Sequence, residues 1–414
     1  MGRHLQVESE VVVYLGMRHL IVLEGIVQGT DVRVNRYVKK EIPQGFQQGL
    51  VSQLGDATKT LQGMLKELFP DNASAIIAAW IVLGNLKLRQ YSFQSSQYYQ
   101  GDIRLITSDE IHSVIQQTRT VATLPLSEFV LQTLPDNFMV DDVSGVRNPM
   151  GLEARRLGVN LKIFTMNFQE FKNLSKVFDS SDLEVTGYIP KGLTISQAVL
   201  SDVEKTQGAL VLDMTSENTE VFFWKDGAVM SSGMLDFGGK QIDTRLSERL
   251  GIDLFDAERL KKNYAAFVPP DNRDELIPLI NRDGRESRQI KRSEFQSLFS
   301  EIAVEWLTGL LGQVNVFIQA QGSHYPHFIF TGGGASIDGF IEFLYKHFSL
   351  VARIGLTKHV DAPTELLVDP SMTHALGMFR WIATSHQEQK QMMQTNGFLK
   401  RIVVSARDWF LAYF

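Results

Sequence analysis

Two stretches of this sequence are written to one plan, and any fold must house both. The first runs Val11–Leu15, breaks at Gly16, resumes as His19–Val27, passes the turn residues Gln28-Gly29-Thr30-Asp31 and ends with Asp31–Val38. The second runs Ala209–Asp213, a polar turn, Thr219–Trp224, Lys225-Asp226-Gly227 and Ala228–Ser232. Short apolar runs bounded by turn residues read as strands, and Asp-Gly between two of them is a strong hairpin signal. After the first block a helix is expected near Gln47–Phe69, where Leu50, Leu54, Leu61, Met64, Leu65 and Leu68 keep helical spacing. Tandem strand-turn-strand blocks predict a duplicated α/β architecture with a cleft between its halves.

Composition narrows the class. The 414 residues are 44% hydrophobic and 21% charged, and chains of this kind divide into domains of about 100–200 residues, so two to four are expected. A net charge of −6 argues against a general nucleic-acid binder, whose domains carry a basic surplus. Without cysteine there is no disulfide framework, thiol nucleophile or Cys-ligated zinc. The first residues lack the long apolar region and cleavage site of a signal peptide. No apolar run approaches the ~18 residues that a spanning helix needs, so a cytoplasmic body is expected.

His327–Phe330 reads as a short buried strand running into Thr331-Gly332-Gly333-Gly334-Ala335 and then a helix, Ile337–Phe348. A glycine loop feeding a helix N-terminus lets backbone N–H groups approach an anion, although three glycines also simply make a tight turn. Its expected partner is the helix Asp256–Tyr264, with Glu258 and Lys261 or Lys262 on one face; an exposed ion pair is the plainer reading of those charges.

The last nineteen residues, Asn396–Phe414, predict an amphipathic helix. Phe398, Leu399, Ile402, Val403, Trp409, Phe410 and Tyr413 gather on one face, and Lys400, Arg401 and Arg407 on the other. Amphipathicity alone also suits a helix packed on the body's own core. The Gln-rich stretch Ser385–Thr395, expected as a flexible tether, and Trp409 flanked by basic residues favour a membrane surface.

In their order, these pieces resemble the actin/Hsp70-like nucleotide-binding superfamily and, within it, the FtsA family of bacterial cell-division proteins. Leu15-Gly16 sits at the first phosphate loop and Leu212-Asp213-Met214 opens the second. Gly238-Gly239 lies in the following turn, Asp256-Ala257-Glu258 with Lys261 looks like the nucleoside-side helix, and Thr331–Ala335 looks like the adenosine loop. Arg147-Asn148-Pro149-Met150-Gly151-Leu152 and Leu161–Thr165 look like the core of the family's inserted subdomain. The resemblance implies an actin-like (ribonuclease H-like) duplicated α/β fold with an inserted α+β subdomain. Its implied boundaries are 9–75 and 173–206 for the first body, 76–172 for the insertion, 207–240 and 321–384 for the second body, 241–320 for that body's smaller subdomain, 385–395 for the tether and 396–414 for the membrane helix. Within the insertion, Ile76–Leu83, an alternation at Tyr91-Ser92-Phe93, a helix Asp109–Arg119 and an exposed polar turn at Gln94–Gln100 are expected.

The resemblance further implies ATP with Mg as ligand, contacted by Gly16, Asp213, Gly238, Gly239, Glu258, Lys261, Gly332, Gly333 and Gly334. Both phosphate loops depart from the pattern. The first holds Tyr14, Met17 and His19 where the superfamily carries an acid, a hydroxyl residue and often a lysine. The second replaces glycines by Thr215-Ser216-Glu217-Asn218, and Glu217 sets a negative charge where polyphosphate would lie. Either efficient hydrolysis is lost and the fold serves as a scaffold, or Arg245, His19 and Lys240 neutralise a nucleotide by another geometry; the scaffold is the preferred reading. The expected role is a membrane-tethered scaffold that polymerises, binds the FtsZ C-terminal peptide near Arg285, Arg288, Lys291 and Arg292, and meets later division proteins through the insertion. The alternatives are an ATP-hydrolysing filament protein and a PilM-like peptide-binding adaptor of pilus assembly.

Overall fold

The computed structural model describes residues 9–41, 43–70, 76–84, 88–101, 103–269, 271–280, 286–320, 322 and 326–395, with side chains described for all of these except 286–287 and 387–395. The expected membrane helix 396–414, Arg282 and Arg285 lie outside the described residues. The chain divides into two units: one holds the residues through Ala198, Lys358–Pro363 and those from His374; the other holds Val199–Thr357 and Thr364–Thr373.

Unit 1 opens with β1 (Ser9–Leu15), β2 (His19–Gln28) and β3 (Asp31–Glu41), an antiparallel meander, followed by α1 (Leu54–Leu68) and β4 (Ile77–Leu83). The inserted portion contributes β5 (Arg89–Tyr98), α2 (Ser108–Val121), β6 (Glu128–Val140), β7 (Val143–Val146) and β8 (Arg156–Asn167). The chain then returns through α3 (Phe168–Asp179), β9 (Leu183–Pro190) and α4 (Lys191–Val199). The main sheet has the order β9-β4-β1-β2-β3, with β4 parallel to both β1 and β9. The insertion builds a separate sheet, β7-β6-β8-β5, with α2 against it. Thr107 and Glu110 start α2 with a reciprocal capping box, satisfying donors that a helix start otherwise leaves open.

Unit 2 begins with α5 (Asp202–Gln207) and repeats the plan. β10 (Ala209–Met214), β11 (Thr219–Lys225) and β12 (Ala228–Leu235) form the meander, and Asp226-Gly227 turns it with φ of 52° and 70°, as a two-residue hairpin requires. Next come α6 (Gly239–Leu250), α7 (Leu254–Tyr264), the ribbon β13 (Leu276–Ile280) and β14 (Glu286–Lys291), and α8 (Arg292–Ala320). β15 (His327–Thr331), α9 (Phe340–Phe348), β16 (Ala352–Ile354) and α10 (Thr364–Leu367) complete the unit. Its sheet order, β12-β11-β10-β15-β16, reproduces that of unit 1, so the duplication read from the sequence is present strand for strand. β10 is buried along its whole length, and α8 buries Phe295, Phe299, Ile302, Leu307, Leu310 and Val314 at helical spacing. Helix α11 (Thr373–Thr395) runs on from this region into unit 1, where Gly377 lets it approach α4; a Cβ there would lie 2.0 Å from the Thr194 carbonyl oxygen.

Five local expectations are corrected. Ile76–Leu83 does not belong to the insertion: β4 is a central parallel strand of unit 1, and burial on both faces explains why its apolar run has no alternation. Gln94–Gln100 is not a turn, because residues through Tyr98 form β5 in ten unbroken pairs with β8. The helix expected from Gln47 starts at Leu54; residues 46–51 form a tiny hairpin turned at Gln48-Gly49, both with positive φ. The helix expected from Ile337 starts at Phe340, after Gly339 adopts a left-handed cap with φ 76°. Ser385–Thr395 is helical within α11. Gln, Glu, Lys and Met are good helix formers, so propensity continues the helix where no apolar period marks it.

Candidate functional site

In unit 1, β1 delivers Tyr14 to the corner at Gly16, and β4 delivers Gly84 beside it. A Cβ on Gly16 would lie 2.4 Å from the Tyr14 hydroxyl, and one on Gly84 would lie 2.5 Å from the same ring. Both glycines therefore make room for Tyr14. Its ring is only 5% exposed and stacks on His374 with centroids 3.5 Å apart and planes 10° from parallel. His374, at the head of α11, is buried, and its Nδ1 has no hydrogen-bond partner among the described residues. Burial first, then the nearby Lys191, His19 and Lys39, hold its pKa well below the ordinary value, so the ring is neutral. His19 lies 3.4 Å from Glu41 and is shifted the same way, again by burial first and then Lys39. Neutral and facing a carboxylate, it does not supply the phosphate-neutralising charge assigned to it from sequence.

In unit 2, Asp213 is buried at the end of β10, opposite Thr331 and Glu220 in register. The turn that follows closes on itself: Thr215 N–H and its hydroxyl both donate to the Asn218 carbonyl at 2.9 Å, and Asn218 N–H donates to the Thr215 hydroxyl at 3.3 Å. The first N–H groups of α6 are used in the same place. Gly239 N–H donates to the Thr215 carbonyl at 3.0 Å and Lys240 N–H to the Ser216 carbonyl at 2.7 Å. A helix start attracts an anion through such N–H groups, and here backbone carbonyls already hold them. Gly238 is needed for that fit, since a Cβ would fall 2.2 Å from the Glu217 carbonyl carbon. Lys240 pairs with Glu217 at 3.2 Å, and Arg245 with Glu248 at 3.6 Å and Glu305 at 3.5 Å, all solvent-exposed pairs.

Lys261 is also committed within unit 2. Its ammonium is mostly buried and donates to the Gly239 carbonyl at 2.8 Å and to Asp243 at 2.7 Å, tying α7 to the start of α6. Burial lowers its pKa while Asp243 opposes the shift. Glu258 forms the plain i,i+4 pair, with Lys262 at 3.1 Å. Sequence reasoning missed Asp243, and it named Asp256 only as part of the nucleoside-side motif; Asp256 accepts from Arg259 at 2.5 Å and from Ile280 N–H at 2.8 Å. Asp243 carries no local signal, since Lys261 lies 18 positions on in another helix, whereas Asp256 and Arg259 stand three apart on α7.

The glycine loop is mostly structural. The Thr331 hydroxyl lies 2.9 Å from the Pro370 carbonyl and 3.0 Å from the Thr373 hydroxyl. Gly332 has φ 80°, and its Cβ would lie 2.4 Å from the Asp213 carboxylate; that of Gly334 would lie 2.9 Å from the Met214 Cβ. Only Gly333 faces open space. The loop continues as a 3-10 turn, Gly333–Ser336, so no α-helical N-terminus stands behind it. Among the described residues no group of three or more His, Asp or Glu is arranged to hold a metal ion.

The expected cationic partner rim is tied down. The Arg288 guanidinium donates to the Leu250 carbonyl, Lys291 pairs with Asp274 at 3.0 Å, and Arg292 pairs with Glu275 at 2.7 Å while covering the Tyr264 ring. No helix of the described residues is long and apolar enough to cross a membrane.

Residues 210–377 match the model for cell division protein FtsA, and residues 90–165 match the SHS2 domain inserted in FtsA. Cell division protein FtsA of Neisseria meningitidis serogroup B is 23% identical over 378 residues, covering 88% of this chain and 87% of the relative. That of Escherichia coli K12 is 24% identical over 315 residues, covering 73% of each. Among solved structures, the PilM–PilN type IV pilus biogenesis complex matches with a TM-score of 0.60 and 16% identity over 90% of this chain and 98% of that one, a likeness of fold. The two family models cover well over half of the sequence, the curated relatives most of it, and the duplicated sheets with their insertion match the expected actin-like architecture; the chain belongs to the FtsA family of cell-division proteins.

Proposed function

We propose that this chain is a membrane-tethered, actin-like scaffold of the bacterial division machinery, which polymerises on the cytoplasmic face of the membrane and anchors the FtsZ ring there without efficient ATP hydrolysis. Family membership supports the division role. The observation that carries the rest is that residues at both phosphate-loop positions are engaged with their own unit: Tyr14 fills the corner between Gly16 and Gly84, and the Thr215–Asn218 turn absorbs the first N–H groups of α6. ATP with magnesium is the ligand the fold family implies. On the nucleoside side, Gly333 keeps an open face. At neither loop, each taken within its own unit, do the phosphate-side residues fit: a phosphate would meet the buried Tyr14 ring at the first loop or the Glu217 carboxylate at the second.

The amphipathic segment 396–414 is the proposed lipid contact. One such helix with three basic residues binds reversibly, so a filament of many copies holds more firmly than a single chain. For the FtsZ tail, the candidate narrows to Lys291, whose pair with Asp274 is solvent-exposed and weak enough to exchange for a peptide carboxylate. The test is co-sedimentation of FtsZ filaments with liposomes. FtsZ should pellet with the full chain in the absence of ATP, and remain in solution when residues after Thr395 are removed. Pelleting that survives the truncation, or that demands ATP, overturns this reading.

A further inference from the structure

Helix α11 outlasts the packing that holds it. From His374 to Ala383 every residue except Arg380 is buried in unit 1. Gly25 of β2 makes room for Phe379, since a Cβ there would lie 2.8 Å from the Phe379 ring. One residue on, the Arg380 guanidinium donates to the Thr30 carbonyl at 3.4 Å, at the turn between β2 and β3. Thr384, Ser385 and His386 are half-buried, yet the helix continues unbroken to Thr395. Ser and Thr hydroxyls often compete with a helix for its backbone. Here they donate one turn back, Thr384 to the Arg380 carbonyl at 3.0 Å and Ser385 to the Trp381 carbonyl at 2.9 Å, so both residues stay within the helix. The remainder, Gln387-Glu388-Gln389-Lys390-Gln391-Met392-Met393-Gln394-Thr395, has no apolar stripe with which to lie along the body. So short a helix is marginal alone because its nucleus is costly. Continued from turns already locked by packing, it needs only propagation, which Gln, Glu, Lys and Met support.

What this does for the segment that follows comes from chain statistics. As a helix, residues 385–395 span about 16 Å. As a flexible coil of the same length they would average about 17–20 Å between their ends. The means nearly coincide, but the spreads do not: a coil ranges from near contact to full extension at about 36 Å, whereas a helix keeps one length and one direction. We infer that the end of α11 is a stiff strut, which fixes the distance and direction at which the lipid-binding segment 396–414 leaves unit 1. Its purpose rests on the membrane-tether reading above. On that reading every body in a filament stands at one height over the lipid, and the filament's own geometry, not slack in its tethers, decides how it follows the surface.

The absence of cysteine lets labels be placed singly or in pairs. In the full chain, spin labels at Lys59→Cys, exposed on α1, and Thr395→Cys should give one narrow distance distribution by pulsed electron resonance. Replacing residues 387–394 by a Gly-Ser repeat of equal length should widen that distribution about threefold while leaving the thermal midpoint unchanged. These distances are measured without lipid, so they decide the strut whether or not the chain pellets with liposomes. On liposomes, the same replacement should raise energy transfer from a dye at Gln28→Cys, exposed beside the turn that α11 passes, to headgroup acceptors about twofold, because a slack tether lets the body settle onto the lipid. A distribution as broad in the unaltered strut as in the Gly-Ser variant, or energy transfer indifferent to the replacement, overturns the inference.

Discussion

The two five-stranded sheets share one strand order, yet they end in opposite ways. In unit 1 the corner after β1 is occupied by a side chain, the Tyr14 ring stacked on His374. In unit 2 the corner after β10 is closed by backbone, the Thr215–Asn218 turn gathering the first N–H groups of α6. The strands are specified by long buried apolar runs that tolerate little change, whereas the loops answer only to whatever they contact. Most glycines of these loops sit where a neighbour fills the space, and Gly333 is the exception among them. Gly16 and Gly84 answer to Tyr14, Gly238 to the turn, and Gly332 and Gly334 to β10.

If the two corners are structural, substitutions there should act on stability first. Tyr14→Ala should cost about 3–5 kcal/mol by emptying the space between Gly16 and Gly84, seen as a lower thermal midpoint, and should not confer ATP binding. In unit 2, Lys261→Met removes the cation facing buried Asp243 and should cost about 3–5 kcal/mol, while Lys262→Ala one position on, losing an exposed pair, should cost roughly 0.2–0.5 kcal/mol. Equal effects at 261 and 262 would erase the distinction drawn between them.

The glycine loop offers a finer contrast. Gly332→Ala, at positive φ and against the Asp213 carboxylate, should destabilise by roughly 1–3 kcal/mol; Gly333→Ala, facing open space, should stay within about 0.5 kcal/mol. Chemical denaturation of both variants measures the difference.

A last expected effect is a pH dependence belonging to unit 1. His374 is held neutral in the fold, with its pKa depressed below the ordinary 6.5, so unfolding lets it take up a proton in acid. Its contribution to stability is intact above 6.5 and is lost as pH falls from there toward the folded value, at up to about 1.4 kcal/mol per pH unit. His19 acts in the same direction. His374→Phe keeps a ring against Tyr14 and should flatten the acid limb of a stability–pH curve. An unchanged slope would show that His374 is not the group responsible.

Much of the architecture was legible because it is written in periodicity. Both meanders, the Asp226-Gly227 turn and the insertion's helix α2 follow from residue spacing, and the family from the order of motifs. What misled was context. The unpatterned run Ile76–Leu83 reads as an independent element until a sheet covers both its faces. The polar stretch Gln94–Gln100 reads as a turn until β8 pairs with its residues through Tyr98. At the site, erosion of both loops was visible in Tyr14 and Glu217, but not its structural consequence, because stacking on His374, three hundred and more positions away, leaves no local signature. Lys261 stands out in the sequence, but its role does not. Its partner Asp243 lies on another helix, and spacing along α7 points to Glu258 instead.

The central claim, that both phosphate corners are filled by the protein itself, is tested most directly by titrating the purified full-length chain with ATP and magnesium in a calorimeter while following phosphate release. No saturable binding heat of phosphate origin, with ATP and adenosine indistinguishable, and no steady release are predicted. Micromolar binding of ATP well above adenosine, with continuing phosphate release, would contradict it.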